Sequence, residues 1–208
     1  MMDAVPIMLE TPQQSPFSFA DRLRLPITLD AADLRADLDR IVDATWVEHF
    51  VRQNYEGDWS VLPLRFTAGA THPIMQAYSD PSATAYEDAP LLDLTPHFRK
   101  ALAQFKCPLG PVRLMRLTPG SVIKEHRDHD LAVEWGAARI HIPIATNDDV
   151  EFLVNRTQVV MEPGSVWYLR LSDPHSVANR GDADRVHLVI DVLVDDWMAA
   201  QLESGAAS

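Results

Sequence analysis

From residue 112 onward the chain is written in short runs. Apolar residues in them alternate with polar ones or cluster, and a turn signal closes each run. VRLMRLT (112–118), SVIKEH (121–126), ARIHIPI (138–144), VEFLVN (150–155), QVVM (158–161), SVWYLRL (165–171), HSVAN (175–179) and RVHLVIDVLV (185–194) are rich in β-branched residues and short for helices. Pro119-Gly120, Asn147-Asp148-Asp149, Glu162-Pro163-Gly164, Ser172-Asp173-Pro174 and Arg180-Gly181-Asp182 separate them. About eight short strands at such spacing predict a jelly roll.

The first half reads differently. RLRLPIT (22–28) predicts a strand, and Asp30 can cap a helix to about residue 43 with Leu34, Leu38, Ile41 and Val42 on its apolar face. DWSVLPLRFT (58–67) predicts a strand interrupted by Pro63, and residues 68–90 a long loop or lid. A second helix fits 95–105, with Thr95 as cap and Pro96 in its first turn. The expected organisation is an N-terminal arm (1–17), a single domain (18–198) and a C-terminal tail (199–208). The domain divides into a helix-containing portion (18–109) and a jelly-roll core (110–195). The fold class is mainly β with flanking helices.

Composition narrows the function. A chain of 208 residues, 47% hydrophobic and 23% charged, suits one well-cored domain. A net charge of −12 argues against nucleic acid or an anionic membrane as partner and leaves a small molecule. Cys107 is the only cysteine, which excludes an intrachain disulfide and a cysteine-based zinc site. MMDAVPIMLE lacks the pattern of a signal peptide and no apolar stretch approaches a membrane span, so a cytoplasmic protein is expected. Nothing in the sequence demands an oligomer.

The run Lys124-Glu125-His126-Arg127-Asp128-His129-Asp130 is the candidate for chemistry. A charge run by itself reads as a solvated turn. On an extended strand, however, His126 and Asp128 share a face while Glu125 and Arg127 take the other. With His175, which opens a later strand, they supply two imidazoles and one carboxylate. That is the facial set of non-haem iron(II) oxygenases. Arg185, in a strand continuing Leu188-Val189-Ile190, needs an anionic partner if buried. One carboxylate on iron(II) leaves a single net positive charge, and a bound dicarboxylate such as 2-oxoglutarate reverses it. Arg185, with Arg139 from the same-face pair Arg139/His141, would restore the balance.

His126-Arg127-Asp128, Arg139-Ile140-His141, Pro174-His175-Ser176 and Arg185-Val186-His187-Leu188-Val189-Ile190-Asp191 together resemble the aspartyl/asparaginyl β-hydroxylase family, across residues 110–195. The closer likeness is to the bacterial branch that includes proline cis-4-hydroxylases. The resemblance implies a double-stranded β-helix of the cupin-like kind, with iron(II) on His126, Asp128 and His175. It also implies that Arg185 holds the distal carboxylate of 2-oxoglutarate and that Arg139 and His141 sit near its keto-acid end. Arg113 matches a basic position that faces substrate in relatives. The implied reaction consumes O2, releases succinate and CO2 and hydroxylates an unactivated C–H, with ascorbate supporting turnover. Animal members carry glycine in place of the carboxylate ligand, so Asp128 fits the bacterial type. The implied substrate is an amino acid, an amino-acid derivative or a peptidyl residue.

Other residues keep two readings. His129 and Asp130 fall where the strand ends, solvated or supporting the ligands. His187 shares a face with Arg185, as cofactor contact or hydrogen-bonded core histidine. Trp135, Trp167 and Tyr168 read as packing, with Trp135 also carried as a substrate-binding candidate. Arg65, across the strand from Trp59, is a weaker candidate for a substrate carboxylate. His-Arg-Asp also occurs in protein kinases, but Val133 stands where an Asn is required and no Gly-rich loop precedes it. Gly120 with His126, Glu134 and Gly136, then His175 with Asn179, echo parts of the two cupin motifs. A metal-binding cupin is therefore the rival, although Asp128 replaces its second histidine and Arg185 and Arg139 go unexplained. A catalytically silent jelly-roll binding domain is the third class.

Overall fold

The computed structural model describes residues 19–80, 82–129 and 131–206. The expected arm (1–17) and Asp130 lie outside them. In chain order come β1 (Arg22–Thr28), α1 (Ala31–Arg40), β2 (Val47–Glu48), β3 (Tyr55–Glu56), β4 (Trp59–Thr67), α2 (Pro73–Ala77) and β5 (Tyr86–Asp88). Then follow α3 (Pro96–Leu102), β6 (Leu109–Leu117), β7 (Val122–His126), β8 (Ala137–Ala145), β9 (Val150–Val154) and β10 (Thr157–Gln158). The chain continues with β11 (Ser165–Leu169), β12 (His175–Asn179), β13 (Arg185–Leu193) and α4 (Asp196–Ala206). The larger sheet runs β1-β11-β8-β13-β6-β4-β2 with β5 beside β4, and the smaller runs β10-β9-β12-β7-β3. Neighbouring strands are antiparallel throughout. Two facing sheets in this order form the expected jelly roll, or double-stranded β-helix.

Strand alternation divides the core in two. On β13, Val186, Leu188, Ile190 and Val192 face one way, onto a layer with Leu34, Phe98 and Leu202 from the helices. Arg185, His187, Val189 and Asp191 face the other sheet. On that side Val189 packs with Met115, Phe152, Leu169 and Val177. The larger sheet is thus covered on both faces, which is why its strands read as nearly continuous apolar runs. The polar residues it points into the sandwich are exceptions that need partners.

Several expectations change. Pro63 lies inside β4, which continues past it to Thr67, but the register with β6 shifts between Pro63 and Arg65. It faces Arg113 of β6 and falls between the residues that pair with β2 (Ser60, Val61) and those that pair with β5 (Arg65–Thr67). Its missing N–H therefore costs no ladder bond there. Residues 68–90 carry α2 and β5 rather than a bare loop. Val42 lies past the end of α1 and is exposed. Thr95 precedes α3 but makes no cap bond with its side chain. The buried carboxylate of Asp37, on α1, accepts instead from the N–H groups of His97 and Phe98 at 2.6 and 2.8 Å. Asp30 caps α1 as expected, accepting from Ala32 and Asp33. The segment set apart as a tail is occupied through Ala206 by α4, whose Met198 and Leu202 are buried.

Candidate metal centre and cosubstrate pocket

His126 ends β7 and His175 opens β12, and the two are partners across that strand pair. Pairing sets their rings 4.2 Å apart between centroids. Each ring is oriented by a backbone carbonyl: His126 Nδ1 donates to Lys124 O at 2.8 Å, and His175 Nδ1 to Asp173 O at 3.1 Å. Both Nε2 lone pairs are then left for a ligand, the arrangement metal-binding histidines use. Asp128 Oδ1 lies 3.8 Å from His126 Nε2. Ligand atoms of the three residues all lie within 4.8 Å of one another. Burial lowers the His175 pKa to about 4, helped by neighbouring His126, which keeps the ring neutral as a ligand must be. The expected triad is thus assembled. Its carboxylate lies two residues beyond the strand, anchored where the Asp128 N–H meets Leu171 O.

The triad opens on a cavity of about 890 Å³. This is near the top of the ~300–1,000 Å³ range of ligand pockets and leaves room for two small molecules. At its inner end lies Arg185, 1% exposed. Nη2 of Arg185 donates to His187 Nδ1 at 2.8 Å, and its guanidinium stands 5.5 Å over the Phe152 ring. Arg185 Nε is buried with no partner, and no carboxylate pairs with this guanidinium among the described residues. Burial alone pulls its pKa down to about 9, so it is charged at neutral pH. His141 Nδ1 lies 3.4 Å from His187 Nδ1, whose lone pair is already used, and His141 Nε2 is buried and unpartnered. Burial and then the Arg185 charge hold both histidines well below their ordinary pKa, hence neutral. Arg185 and His141 line the cavity; His187 does not, and reaches it through its contacts with those two residues.

The middle of the cavity is charged but balanced. Asp191 accepts from Arg139 Nε at 2.7 Å and Nη2 at 3.1 Å, from Ser79 Oγ at 2.6 Å, and from Arg113 Nη2. Arg139 Nη1 donates to Asp128 Oδ2 at 2.8 Å. Arg113 also donates to Ser79 Oγ and to Ala77 O. Burial pushes the Asp191 pKa up, but Arg113 and Arg139 outweigh it and hold the carboxyl well below the usual range. Arg113 lines the cavity as expected, with Nη1 and Nη2 engaged by Ala77, Ser79 and Asp191 and its Nε buried without a partner. Arg139 likewise serves Asp128 and Asp191.

Toward the mouth the wall is aromatic. His49 stacks on Trp59 with centroids 3.5 Å apart and a 6° tilt, and on Phe50 at 4.8 Å. Tyr78 meets Phe50 edge-on at 5.3 Å. Burial, then Arg113 and Arg139, lower the His49 pKa to about 3. Trp135 is half-exposed at the rim with Arg127 and His129. Arg65 is not brought to the cavity. It pairs with Asp88 at 2.6 Å across β4 and β5, which removes it from the substrate-binding candidates. Trp167 and Tyr168 also lie outside the cavity lining.

Sequence reasoning gave no role to Asp191, His49 and Ser79. Asp191 carried a signal: Arg185, His187 and Asp191 share one strand parity in a buried run, so the acid had to meet a cation. His49 carried none, because its stacking depends on where β2 docks.

A family model described as Aspartyl/Asparaginyl beta-hydroxylase matches residues 29–194. Among solved structures, a Pseudomonas putida prolyl-4-hydroxylase is similar with a TM-score of 0.50 and 13% identity, over 84% of this chain and 93% of its own. A viral collagen prolyl hydroxylase from Paramecium bursaria Chlorella virus-1, a 2OG complex, gives 0.48 and 10%, over 84% and 97%. A cupin 2 conserved barrel domain protein from Salinispora arenicola gives 0.35 and 16%, over 77% and 98%. The likeness to the bacterial hydroxylase is one of fold.

Proposed function

The chain belongs to the aspartyl/asparaginyl β-hydroxylase family, and from that premise we propose an iron(II)- and 2-oxoglutarate-dependent dioxygenase. It hydroxylates an unactivated C–H of a small carboxylate-bearing substrate: an amino acid, an amino-acid derivative or a peptidyl residue. The observation that carries this reading is Arg185, a buried guanidinium without a counter-ion in the cavity that also holds a facial His-Asp-His set. A buried charge left alone is costly, so the site is built for an anion to arrive. A metal-binding cupin acting on an uncharged substrate has no use for that cation.

The residues fit the groups the family implies. His126 Nε2, His175 Nε2 and an oxygen of Asp128 would hold iron(II), leaving other coordination positions open. Arg185 would take the distal carboxylate of 2-oxoglutarate through its free N–H groups, with His141 beside it. Iron and 2-oxoglutarate together supply the O2-derived oxidant, with succinate and CO2 as coproducts. The protein's part is orientation and exclusion of water. Phe152 and Val177 close the inner end, and His49, Phe50, Trp59 and Tyr78 form an apolar face for the body of the substrate. Arg113 and Arg139 are paired internally. Arg127 therefore becomes the guanidinium for a substrate carboxylate: it lines the mouth and spends one N–H on Ser172 O.

Anaerobic titration of the metal-free protein with iron(II) and then 2-oxoglutarate tests the assignment. A weak visible charge-transfer band is expected, with its affinity collapsing in Arg185→Ala. Metal binding without any 2-oxoglutarate band would return the protein to the cupin class, and absence of metal binding to the silent class. A mass-spectrometric screen of free, N-acylated and peptidyl amino acids for one added oxygen atom then finds the substrate.

A further inference from the structure

The three candidate ligands are not equally supported. His126 and His175 sit on paired strands, whereas Asp128 stands on the loop after β7. Its peptide N–H is tied to Leu171 O, but that bond does not set the rotation of the carboxylate. A side-chain partner must do so, and it is Arg139, whose Nη1 engages Oδ2 while Oδ1 faces His126. Arg139 is itself held at two points by Asp191, through Nε and Nη2, which fixes the plane of its guanidinium. The two residues are partners across β8 and β13, at the centre of the larger sheet. Asp191 also receives Ser79 Oγ, and Ala77 O and Ser79 Oγ both take bonds from Arg113. Residues 77–80 form part of the cavity wall. A continuous set of bonds therefore runs from that wall to the carboxylate ligand.

We propose that Asp191 is a positioning residue for the metal centre: through Arg139 it sets the orientation of the Asp128 carboxylate, and through Ser79 it couples that carboxylate to the wall at residues 77–80. This rests on reading His126, Asp128 and His175 as the metal site. Without the Asp191 charge, Arg139 loses its two-point anchor and is free to turn both edges of its guanidinium onto Asp128, in competition with the metal. The same change leaves Arg113 and Arg139 uncompensated close to a divalent cation. Both effects weaken metal binding. Coupling is reciprocal, so a bound metal in turn steadies the wall.

The test uses the metal-free full chain with cobalt(II) as probe. Affinity and the visible band envelope are followed anaerobically, and hydrogen exchange is read over peptides spanning residues 71–80. Wild type is expected to bind cobalt and to exchange more slowly in those peptides once loaded. Asp191→Asn is expected to bind about 10- to 100-fold more weakly, the usual cost of losing a group that orients a metal ligand, with an altered band envelope. Ser79→Ala, which keeps every charge, is expected to bind cobalt but to lose the metal-induced slowing over 71–80. Folded Asp191→Asn with wild-type affinity and spectrum would overturn the proposal. Should that variant fail to fold, Ser79→Ala decides, since full retention of the slowing overturns the coupling. A wild type that binds no cobalt sinks the metal reading itself, whereas wild-type binding with a silent Asp191→Asn sinks only the positioning role.

Discussion

Two groups of buried arginines line the same cavity and are treated in opposite ways. Arg113 and Arg139 surround Asp191, which is counter-ion to both, although Arg113 Nε is buried without a partner. Arg185, buried at least as deeply, has only a neutral imidazole and an aromatic face. A compensated charge belongs to the scaffold, because the protein supplies both members of the pair. An uncompensated one marks the place where a ligand completes the structure. The proposed cosubstrate site is thus read from what the fold leaves unpaired.

The comparison can be broken first at Asp191. Removing one partner of a buried ion pair typically costs about 3–5 kcal/mol, so Asp191→Asn is expected to lose that much stability in urea denaturation. A loss below 1 kcal/mol would mean that the pair is not scaffold. Arg185→Met should behave oppositely. It is expected to leave the stability of the ligand-free protein unchanged or raised, yet to weaken 2-oxoglutarate at least about 100-fold, or about 2.7 kcal/mol, by anaerobic titration. Acid should then separate the two regions. His141 and His187 are held below their ordinary pKa by burial and Arg185, so between that pKa and the lowered one only the unfolded chain takes up protons. Stability therefore falls as pH drops below about 6.5, the ordinary histidine value. Asp191, held below the usual carboxylate range, keeps its contribution until more acidic pH. Denaturation curves from pH 7 to 4 should show this loss, with a shallower slope in Arg185→Met. The smallest effect is expected at Arg65. Its part-exposed pair with Asp88 is worth about 0–1 kcal/mol, and Arg65→Ala should leave 2-oxoglutarate affinity at the wild-type value.

Much of this was legible because the chemistry sits on strands. Alternation placed His126, Arg139, His141 and Arg185 on faces that the sheets honour, and the turn signals bounded most of the strands from β6 onward. What stayed hidden depends on contacts across the sequence. Arg113 could be read as facing the cavity but not as already paired, since Ser79 and Ala77 reach it from a segment without strand or helix periodicity of its own. Pro63 predicted a break, and in its place stands a register shift against β6 within a continuous strand, at the gap between β2 and β5. The cap of α3 comes from Asp37, some sixty residues upstream, where no local pattern could point to it. Arg65 was misplaced because its partner Asp88 lies on a strand that the loop reading of 68–90 left out.

The pairing of His126 with His175 has a consequence for how such a protein can diverge. Separation of the two imidazoles is set by the ladder between β7 and β12, with β9 paired along the other edge of β12 and Val154 opposite His175. The turn at 155–156 helps hold this arrangement, because the Asn155 N–H donates to Pro174 O and Asn155 Nδ2 to Asp173 Oδ2, next to His175. The segments that line the cavity away from this pair, residues 49–51 and 77–80, can change what is admitted while the ladder keeps the two imidazoles at one spacing.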